Sequence, residues 1–355
     1  MTIAGINISP GYLAWIAACL VAWLIMGRVA PAIGFAIITG LPLFFMSEMP
    51  PYSTWAEKFG RYVFLLACTL IFIFLITPVL VIVPLSFNAE PYFSFTDGML
   101  ALDPEAFSLR WYELIFTFGM QAPEATEGWW SDMWNNSTWV GAAVNSFKFA
   151  VLSTILATFF GTLAALGLSR PEMPWRSAIT SLLISPMIVP LVITATGMFF
   201  FYAKKDFFPF FPDGLINTDA GIVLAHATLG VPFVIITVTA TLTGFDNSLI
   251  RASRSLGANG FTTFRRVIMP LILPGMISGA LFAFITSLDE VVAVIFLADV
   301  TQVTIPRQMF SGIREQISPT ILAVATVLVA ISIALLTTLE LLRRRSERLR
   351  GLSPN

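Results

Sequence analysis

Long apolar runs limit the folds open to this chain more than any other feature of its sequence. They fall at about 11–28, 30–46, 61–86, 139–168, 177–203, 220–244, 271–297 and 320–342. About 20 apolar residues are enough for a helix to cross the roughly 30 Å hydrocarbon core of a bilayer. Because lipid offers the backbone no hydrogen-bond partners, such runs fold as helices. The sequence therefore predicts an all-α, polytopic membrane protein with about eight spans.

The amino-terminal part of the chain, residues 1–58, is predicted to form an extra hydrophobic hairpin. Its two apolar runs are joined by a tight turn. The second run is short and contains Pro42, so it also fits a re-entrant or interfacial segment. Residues 59–345 then form the main transmembrane domain, and residues 346–355 form a tail.

Basic residues near the helix ends predict the orientation of the chain. One side of the membrane receives Arg170, Arg176, four loop arginines and the arginine-rich tail. The positive-inside rule predicts that this side is cytoplasmic. The opposite side receives residues 87–138, which are rich in carboxylates and hold a single basic residue. An even number of spans then places both termini in the cytoplasm, although Lys204 and Lys205 run against the rule.

Signatures of catalysis and of ATP binding are missing from the sequence. None of the four lysines follows a glycine, so there is no phosphate-binding loop of the G-x-x-x-x-G-K-[ST] type. The single His226 has no cysteine or carboxylate at metal-ligand spacing, and no nucleophile motif is present. We therefore predict no catalytic residue, no metal, no cofactor bound by this chain and no nucleic-acid partner. Any ATP must be used by a separate subunit.

A basic, polar loop lies between two apolar runs at residues 246–270 and is here called the coupling loop. It carries four arginines and no acid after Asp246. On the cytoplasmic side, such a loop is typical of a docking surface for a soluble partner. Gly257 lets the backbone bend there, because glycine adopts a positive φ without steric cost.

Several short motifs follow one another along the chain. They are FSLRWY at 107–112, the pair Asn145-Ser146, GVPF at 230–233, SLDEVV at 287–292, Ile305-Pro306 and Ser318-Pro319. In this order and spacing they resemble the second permease subunit of bacterial polyamine (spermidine/putrescine) ABC importers, and the coupling loop resembles the EAA loop of ABC-transporter permeases. Residues 1–58 lie outside the resemblance. Arg251 replaces the glutamate that opens the usual EAA motif.

The resemblance implies a six-helix, type I ABC importer permease core in the bacterial inner membrane, with the hairpin added. It also implies the partners, which are ABC ATPase subunits, a second permease subunit expected to be a distinct chain, a periplasmic substrate-binding protein and the lipid bilayer. ATP would be used by the partner ATPase. In this interpretation Ala252, Ser253, Leu256 and Gly257 pack into an ATPase groove, while Arg251 and Arg254 meet acids on its rim. The residues that the resemblance assigns to ATPase coupling are Arg251, Ala252, Ser253, Leu256, Gly257, Ala258 and Pro270.

Two adjacent carboxylates, Asp289 and Glu290, come near the end of the seventh run. At about 1.5 Å per residue they lie roughly 30 Å of helix beyond Pro270, toward the outer half of the membrane. Charged side chains there are costly and usually face a cavity, so they predict a cation-attracting substrate pathway, with Thr286 on the same helix face. The alternative is an interhelical ion pair with Lys148. A fixed Lys148 cation beside the path would instead suit a zwitterionic or anionic substrate.

Two transport functions therefore stay open, and a third interpretation is a non-transporting membrane scaffold. The first is a permease subunit of an ATP-driven importer, moving polyamines or a related small amine-containing solute from a periplasmic binding protein to the cytoplasm. The second is an ion-coupled secondary transporter that acts alone, with Lys148, Asp289 and Glu290 as its coupling site.

Overall fold

Five long helices and one bent pair of helices are apolar enough to span a membrane in the described part of the chain. The computed structural model describes residues 2–3, 6–7, 52–125, 128–170, 172–243, 248–315 and 318–349. If the bent pair counts as one span, the described residues hold up to six spans, which agrees with the six-helix core. The predicted spans at 11–28 and 30–46 lie outside the described residues.

The elements begin with two short strands, β1 (Thr2–Ile3) and β2 (Ile6–Asn7), which pair antiparallel, and the long helix α1 (Trp55–Leu85). The segment at 86–137 then holds the short helices α2 (Asp97–Leu100), α3 (Arg110–Thr117) and α4 (Trp129–Asn136). The helices that follow are α5 (Thr138–Leu168), α6 (Arg176–Ile188), α7 (Leu191–Tyr202), α8 (Asp219–Thr243), α9 (Ser248–Ser255), α10 (Gly260–Thr263), α11 (Met269–Leu288), α12 (Val292–Leu297), α13 (Ile305–Glu315) and α14 (Thr320–Leu349).

The core forms where α5, α8 and α11 pack at close range. Gly275 and Gly279 make a Gly-x-x-x-Gly pair on α11 that faces α8. A Cβ atom at Gly279 would lie 2.7 Å from Val234 Cα, and one at Gly275 would lie 2.9 Å from the carbonyl oxygen of Thr237. Gly161 gives α5 a similar approach to Val234. Small residues allow this contact in membranes, where apolar burial alone does not drive helices together.

A buried chain of polar side chains links the same three helices. The Oγ atom of Ser287 on α11 lies 2.6 Å from Nδ1 of His226 on α8, and Ser153 on α5 donates to Ser287 Oγ at 3.1 Å. His226 is 2% exposed. His226 therefore joins α8 to α11 through a buried side-chain hydrogen bond.

We expect Ser287→Ala to destabilise the chain more than Ser153→Ala. The first change removes both hydrogen bonds and strands His226 Nδ1, which costs about 1 to 2 kcal/mol. The second leaves the pair between His226 and Ser287 intact and costs about 0.6 kcal/mol, the average for interhelical hydrogen bonds in a membrane protein. Denaturant unfolding of the purified variants in detergent measures the difference. An equal or larger loss for Ser153→Ala would show that His226 does not depend on Ser287.

Two predicted spans are interrupted. The run at 177–203 divides into α6 and α7, which meet at 104°. Pro190 caps α7, and its ring prevents the preceding helix from continuing. The run at 271–297 was predicted as one helix, and this was wrong because α11 ends at Leu288 and α12 starts at Val292. The carboxylate of Glu290 explains the break, since it accepts the backbone N–H of Ala293 at 2.8 Å in the first turn of α12.

The segment at 86–137 is ordered around a buried asparagine. Asn88 is 0% exposed and donates through Nδ2 to the carbonyl oxygens of Tyr92 and Ser94 at 3.2 and 3.1 Å. The indole of Trp111, from the FSLRWY motif, donates to the Asn88 carbonyl at 2.7 Å. The FSLRWY motif therefore holds the two ends of the stretch from Asn88 to Trp111 together.

Candidate coupling loop and substrate pathway

The coupling loop is a helix-turn-helix formed by α9 and α10. At the turn Gly257 has a φ of +80°, its N–H donates to Arg254 O at 2.9 Å, and Ala258 N–H donates to Ser253 O at 3.1 Å. These two bonds form a Schellman motif, which needs a left-handed residue and favours glycine. Asn259 then caps α10 by accepting the N–H of Thr262 at 2.8 Å. Gly257 therefore forms the turn that its position predicted.

One of the predicted contact residues, Ser253, faces into the loop. It is 9% exposed, and its Oγ atom lies 3.0 Å from Oγ1 of Thr263. This hydrogen bond joins α9 to α10. Ser253 therefore holds the shape of the loop, and its expected place in an ATPase groove is corrected.

The exposed face of the coupling loop combines apolar and basic side chains. Leu256 is 88% exposed and Phe261 is 71% exposed. Ala252, Arg251 and Arg254 are also exposed. Large apolar side chains left in solvent on an otherwise polar loop indicate a contact with another protein. Phe261 was not predicted, because it lies beyond the Gly257 turn, where the sequence pattern gives no sign of which side chains return to the surface.

The second half of the coupling loop continues directly into a membrane span. Residues Phe264–Ile268 form a π-helical turn between α10 and α11, and the helical stretch Gly260–Leu288 is 29 residues long. Pro270 is exposed near the start of α11 and, because it has no backbone N–H, donates no hydrogen bond to the preceding turn. The second half of the coupling loop and α11 are therefore parts of one helical stretch.

The adjacent carboxylates at the far end of α11 have different environments. Asp289 caps the carboxyl end of α11 and is exposed. Glu290 is 6% exposed and, as described above, bonds to the first turn of α12. Thr286 is partly buried one turn earlier. Asp289 is thus available to a solute, whereas Glu290 has a structural contact.

Lys148 pairs with Asp219, and not with either of these carboxylates. The distance from Lys148 Nζ to Asp219 Oδ2 is 2.9 Å, and the two side chains are 37% and 51% exposed. Such a half-exposed pair adds little stability. The pair instead changes the local net charge, because the Asp219 carboxylate neutralises the Lys148 ammonium group. Within the described ranges Asp289 has no ion-pair partner. One sign of this pairing is visible in the sequence, since Asp219 directly precedes an apolar run.

The Asn145-Ser146 pair ties α5 to the connection between α12 and α13. Asn145 Nδ2 donates to the carbonyl oxygens of Thr301 and Val303 at 3.0 and 3.1 Å, and Ser146 Oγ accepts the N–H of Ile305 at 2.8 Å. Gln302 in the same connection donates to Asp219 Oδ1 at 2.9 Å. The ends of α5 and α8 near Lys148 are therefore joined to this connection.

The described residues thus combine a bundle of candidate membrane spans with a helical loop at one end that exposes apolar side chains. Residues 50–349 match the family described as binding-protein-dependent transport system inner membrane component. The chain belongs to this family.

Similar proteins support the same assignment. The chain is 29% identical over 276 residues to the spermidine/putrescine transport system permease protein PotC of Haemophilus influenzae, covering 78% of this chain and 94% of that protein. It is 30% identical over 198 residues to a probable molybdenum ABC transporter permease protein of Haloferax volcanii, covering 56% and 73%. The fold is similar to a crystal structure of a bacterial ABC transporter involved in import of the acidic polysaccharide alginate, with a TM-score of 0.54 and 14% identity over 83% of this chain and 99% of that chain.

These findings confirm the resemblance to polyamine permeases noted in the sequence. The protein is a multi-pass inner-membrane permease of an ABC importer and not an enzyme, since its relatives are transport permeases. The interpretation as a transporter acting alone gains no support from them.

Proposed function

We propose that the chain forms a translocation pathway together with a second, distinct permease subunit, with both termini in the cytoplasm. A periplasmic binding protein delivers solute to the end of the bundle that carries the 86–137 segment. Two ATPase subunits bind the coupling loops at the opposite end. The exposed Leu256 and Phe261 support the second contact, because no residue in the described part of the chain covers these apolar side chains.

ATP binding would draw the two ATPase subunits together and displace the coupling loops. The Ser253–Thr263 hydrogen bond keeps α9 and α10 together during this movement. The continuous helical stretch Gly260–Leu288 carries the displacement toward Asp289. Alternating access then follows from movement of α11 relative to the partner permease.

We propose a polyamine or a related small amine as the substrate. The observation that carries this proposal is the charge around the pathway. Asp219 balances Lys148, so no free cation at that position repels a polycation, and the exposed Asp289 lacks a partner among the described residues. An ammonium group can exchange water for such a carboxylate in a charge-assisted hydrogen bond. The similar permease of Haemophilus influenzae, which belongs to a spermidine/putrescine transport system, adds support.

The test is uptake by a reconstituted assembly. The tagged chain is purified from its native membrane in mild detergent, its companion subunits are identified by mass spectrometry, and the assembly is placed in liposomes with ATP inside. We expect ATP-dependent uptake of labelled spermidine, and none by the chain alone. Molybdate serves as the competing anion. Uptake of molybdate in place of spermidine would reject the amine substrate, and uptake by the chain alone under an ion gradient would reject the importer mechanism.

Asp289→Asn and Glu290→Gln form a matched pair, since each removes one charge and preserves the size of the side chain. We expect Asp289→Asn to lower spermidine uptake by about tenfold or more, as a lost charge-assisted hydrogen bond predicts. We expect Glu290→Gln to change uptake by no more than about twofold, because glutamine keeps an oxygen for the Ala293 N–H and so preserves the uncharged part of this contact. A larger loss of spermidine uptake for Glu290→Gln than for Asp289→Asn would place the substrate contact at Glu290.

A further inference from the structure

A cavity of about 470 Å³ lies between α6 and α8 at the end of the bundle that carries the coupling loop. Its walls include Arg176, Ser177, Thr180, Ser181, Ile184, Leu168, Ile235, Ile236 and Thr239. Neither the substrate pathway nor the coupling loop uses these residues. The cavity opens at the membrane boundary, because α6 begins at Arg176 and α8 ends four residues beyond Thr239.

The helix face that borders the cavity explains why it exists. Ser177, Thr180, Ser181 and Ile184 follow the spacing i, i+3, i+4, i+7, so they share one face of α6. Three of these four side chains are short and polar, and such side chains do not fill the groove of a neighbouring helix. No residue of α6 is buried, although the helix is apolar overall. The space beside α8 therefore remains open on this chain.

The wall of the cavity changes in chemistry with depth. Arg176 supplies a cation at the boundary, the hydroxyl groups come next, and Ile184 lies about 12 Å deeper at about 1.5 Å per residue. Thr239 on α8 adds a further hydroxyl, whose buried oxygen has no hydrogen-bond partner among the described residues. A phospholipid has matching groups in the same order along its length. It carries a phosphate, then ester carbonyl oxygens that accept hydrogen bonds, and then an acyl chain.

We propose that this cavity binds one anionic phospholipid of the leaflet on the coupling-loop side. Arg176 pairs with the phosphate, the hydroxyl groups of Ser177 and Ser181 donate to the phosphate or ester oxygens, and the isoleucines contact the acyl chain. Basic pockets between membrane helices on the cytoplasmic side are known to hold such headgroups. The assignment to the cytoplasmic leaflet rests on the orientation proposed above.

Charge argues against the transported solute as the occupant. No carboxylate is among the described residues that line the cavity, and the Arg176 guanidinium repels an ammonium group. Arg176 itself has no carboxylate within 4.0 Å in the described part of the chain, so its charge is available to a ligand. The occupant is therefore anionic at the boundary and apolar inside.

Native mass spectrometry of the purified chain, equilibrated with equal amounts of phosphatidylglycerol and phosphatidylcholine, tests the proposal. We expect the chain to retain phosphatidylglycerol about fivefold better, since each basic residue near a membrane surface adds about 1 kcal/mol to anionic lipid attraction. Arg176→Gln is expected to remove the preference. Arg170→Gln is the matched control, because Arg170 is exposed at the same end of the bundle but does not line the cavity. Ser181→Leu fills the cavity and is expected to reduce retention of both lipids.

Three outcomes would overturn the proposal. They are equal retention by Arg176→Gln and Arg170→Gln, displacement of the lipid by soluble sn-glycerol 3-phosphate, and displacement by spermidine. The folded state of each variant is checked by thermal unfolding, and both arginines are exposed, so loss of the fold is not expected. ATPase co-purification is measured on the same samples. Arg176→Gln is expected to leave ATPase co-purification unchanged. Failure of the lipid proposal would appear in lipid retention, whereas failure of the proposed function would appear in ATPase co-purification.

Discussion

Replacing Gly279 with leucine is expected to prevent the bundle from reaching its folded state. A Cβ atom at this position would lie 2.7 Å from Val234 Cα and 2.5 Å from Thr237 Oγ1. The first of these is a backbone atom, so α8 and α11 would have to separate along their contact. Overpacking of this kind costs about 3 kcal/mol or more. Size-exclusion chromatography and thermal unfolding of the purified chain in detergent measure the loss.

Gly197→Leu is the matched control for this prediction. Gly197 also lies in a membrane helix, α7, but a Cβ atom there would have no neighbour within 4 Å. We expect this variant to purify like the parent, and to be slightly more stable because leucine is a better helix former than glycine. If Gly279→Leu behaved in the same way as Gly197→Leu, the close contact between α8 and α11 would not exist in the membrane.

Replacing Leu256 with aspartate is expected to abolish co-purification of an ATPase with the chain. A leucine that becomes fully buried in an interface contributes about 1.5 to 3 kcal/mol, and an unpaired carboxylate in its place adds a desolvation cost. Together these weaken binding by about a hundredfold or more. The measurement is a pull-down from the native membrane with mass spectrometry. Because Leu256 is 88% exposed, the fold of the chain itself is expected to survive.

Leu102→Asp is the control for the coupling surface. Leu102 is 77% exposed and lies in the 86–137 segment, at the opposite end of the bundle. Its φ of 57° is one that aspartate tolerates better than leucine does. We expect the ATPase to remain with this variant. Loss of the ATPase from both variants would indicate a general effect of the added charge, and loss from neither would place the docking surface elsewhere.

The spans and the coupling loop were accessible from sequence because both depend on local patterns. Apolar length predicts a membrane helix, and a glycine between two polar, helix-prone stretches predicts a turn. Neither pattern reports which partner a side chain meets from another helix. The pairing of Lys148 with Asp219 depends on how α5 and α8 are placed side by side. The inward position of Ser253 likewise depends on α10 folding back against α9.

The break in the run at 271–297 shows a second limit. Hydropathy alone favours one long helix there, because the residues on both sides of Asp289 and Glu290 are strongly apolar. The competing interaction is local but polar, since a glutamate can cap a new helix with its side chain. A pair of carboxylates inside an apolar run can therefore indicate either a candidate binding site or the start of a new helix. In this chain the two fall on adjacent residues.

In the proposed coupling mechanism, the Gly275–Gly279 contact would act as the pivot of α11. The helical stretch Gly260–Leu288 is 29 residues long, or about 43 Å at 1.5 Å per residue. The glycines lie near its middle, with the coupling loop at one end and Asp289 at the other. A lever held at its centre moves its two ends by similar distances in opposite directions. With arms of about 20 Å, a tilt of about 10° shifts each end by about 3 to 4 Å, which is within the range of rigid-body rotations in proteins. An ATPase pulling the loop toward the centre of the assembly would therefore swing Asp289 away from it.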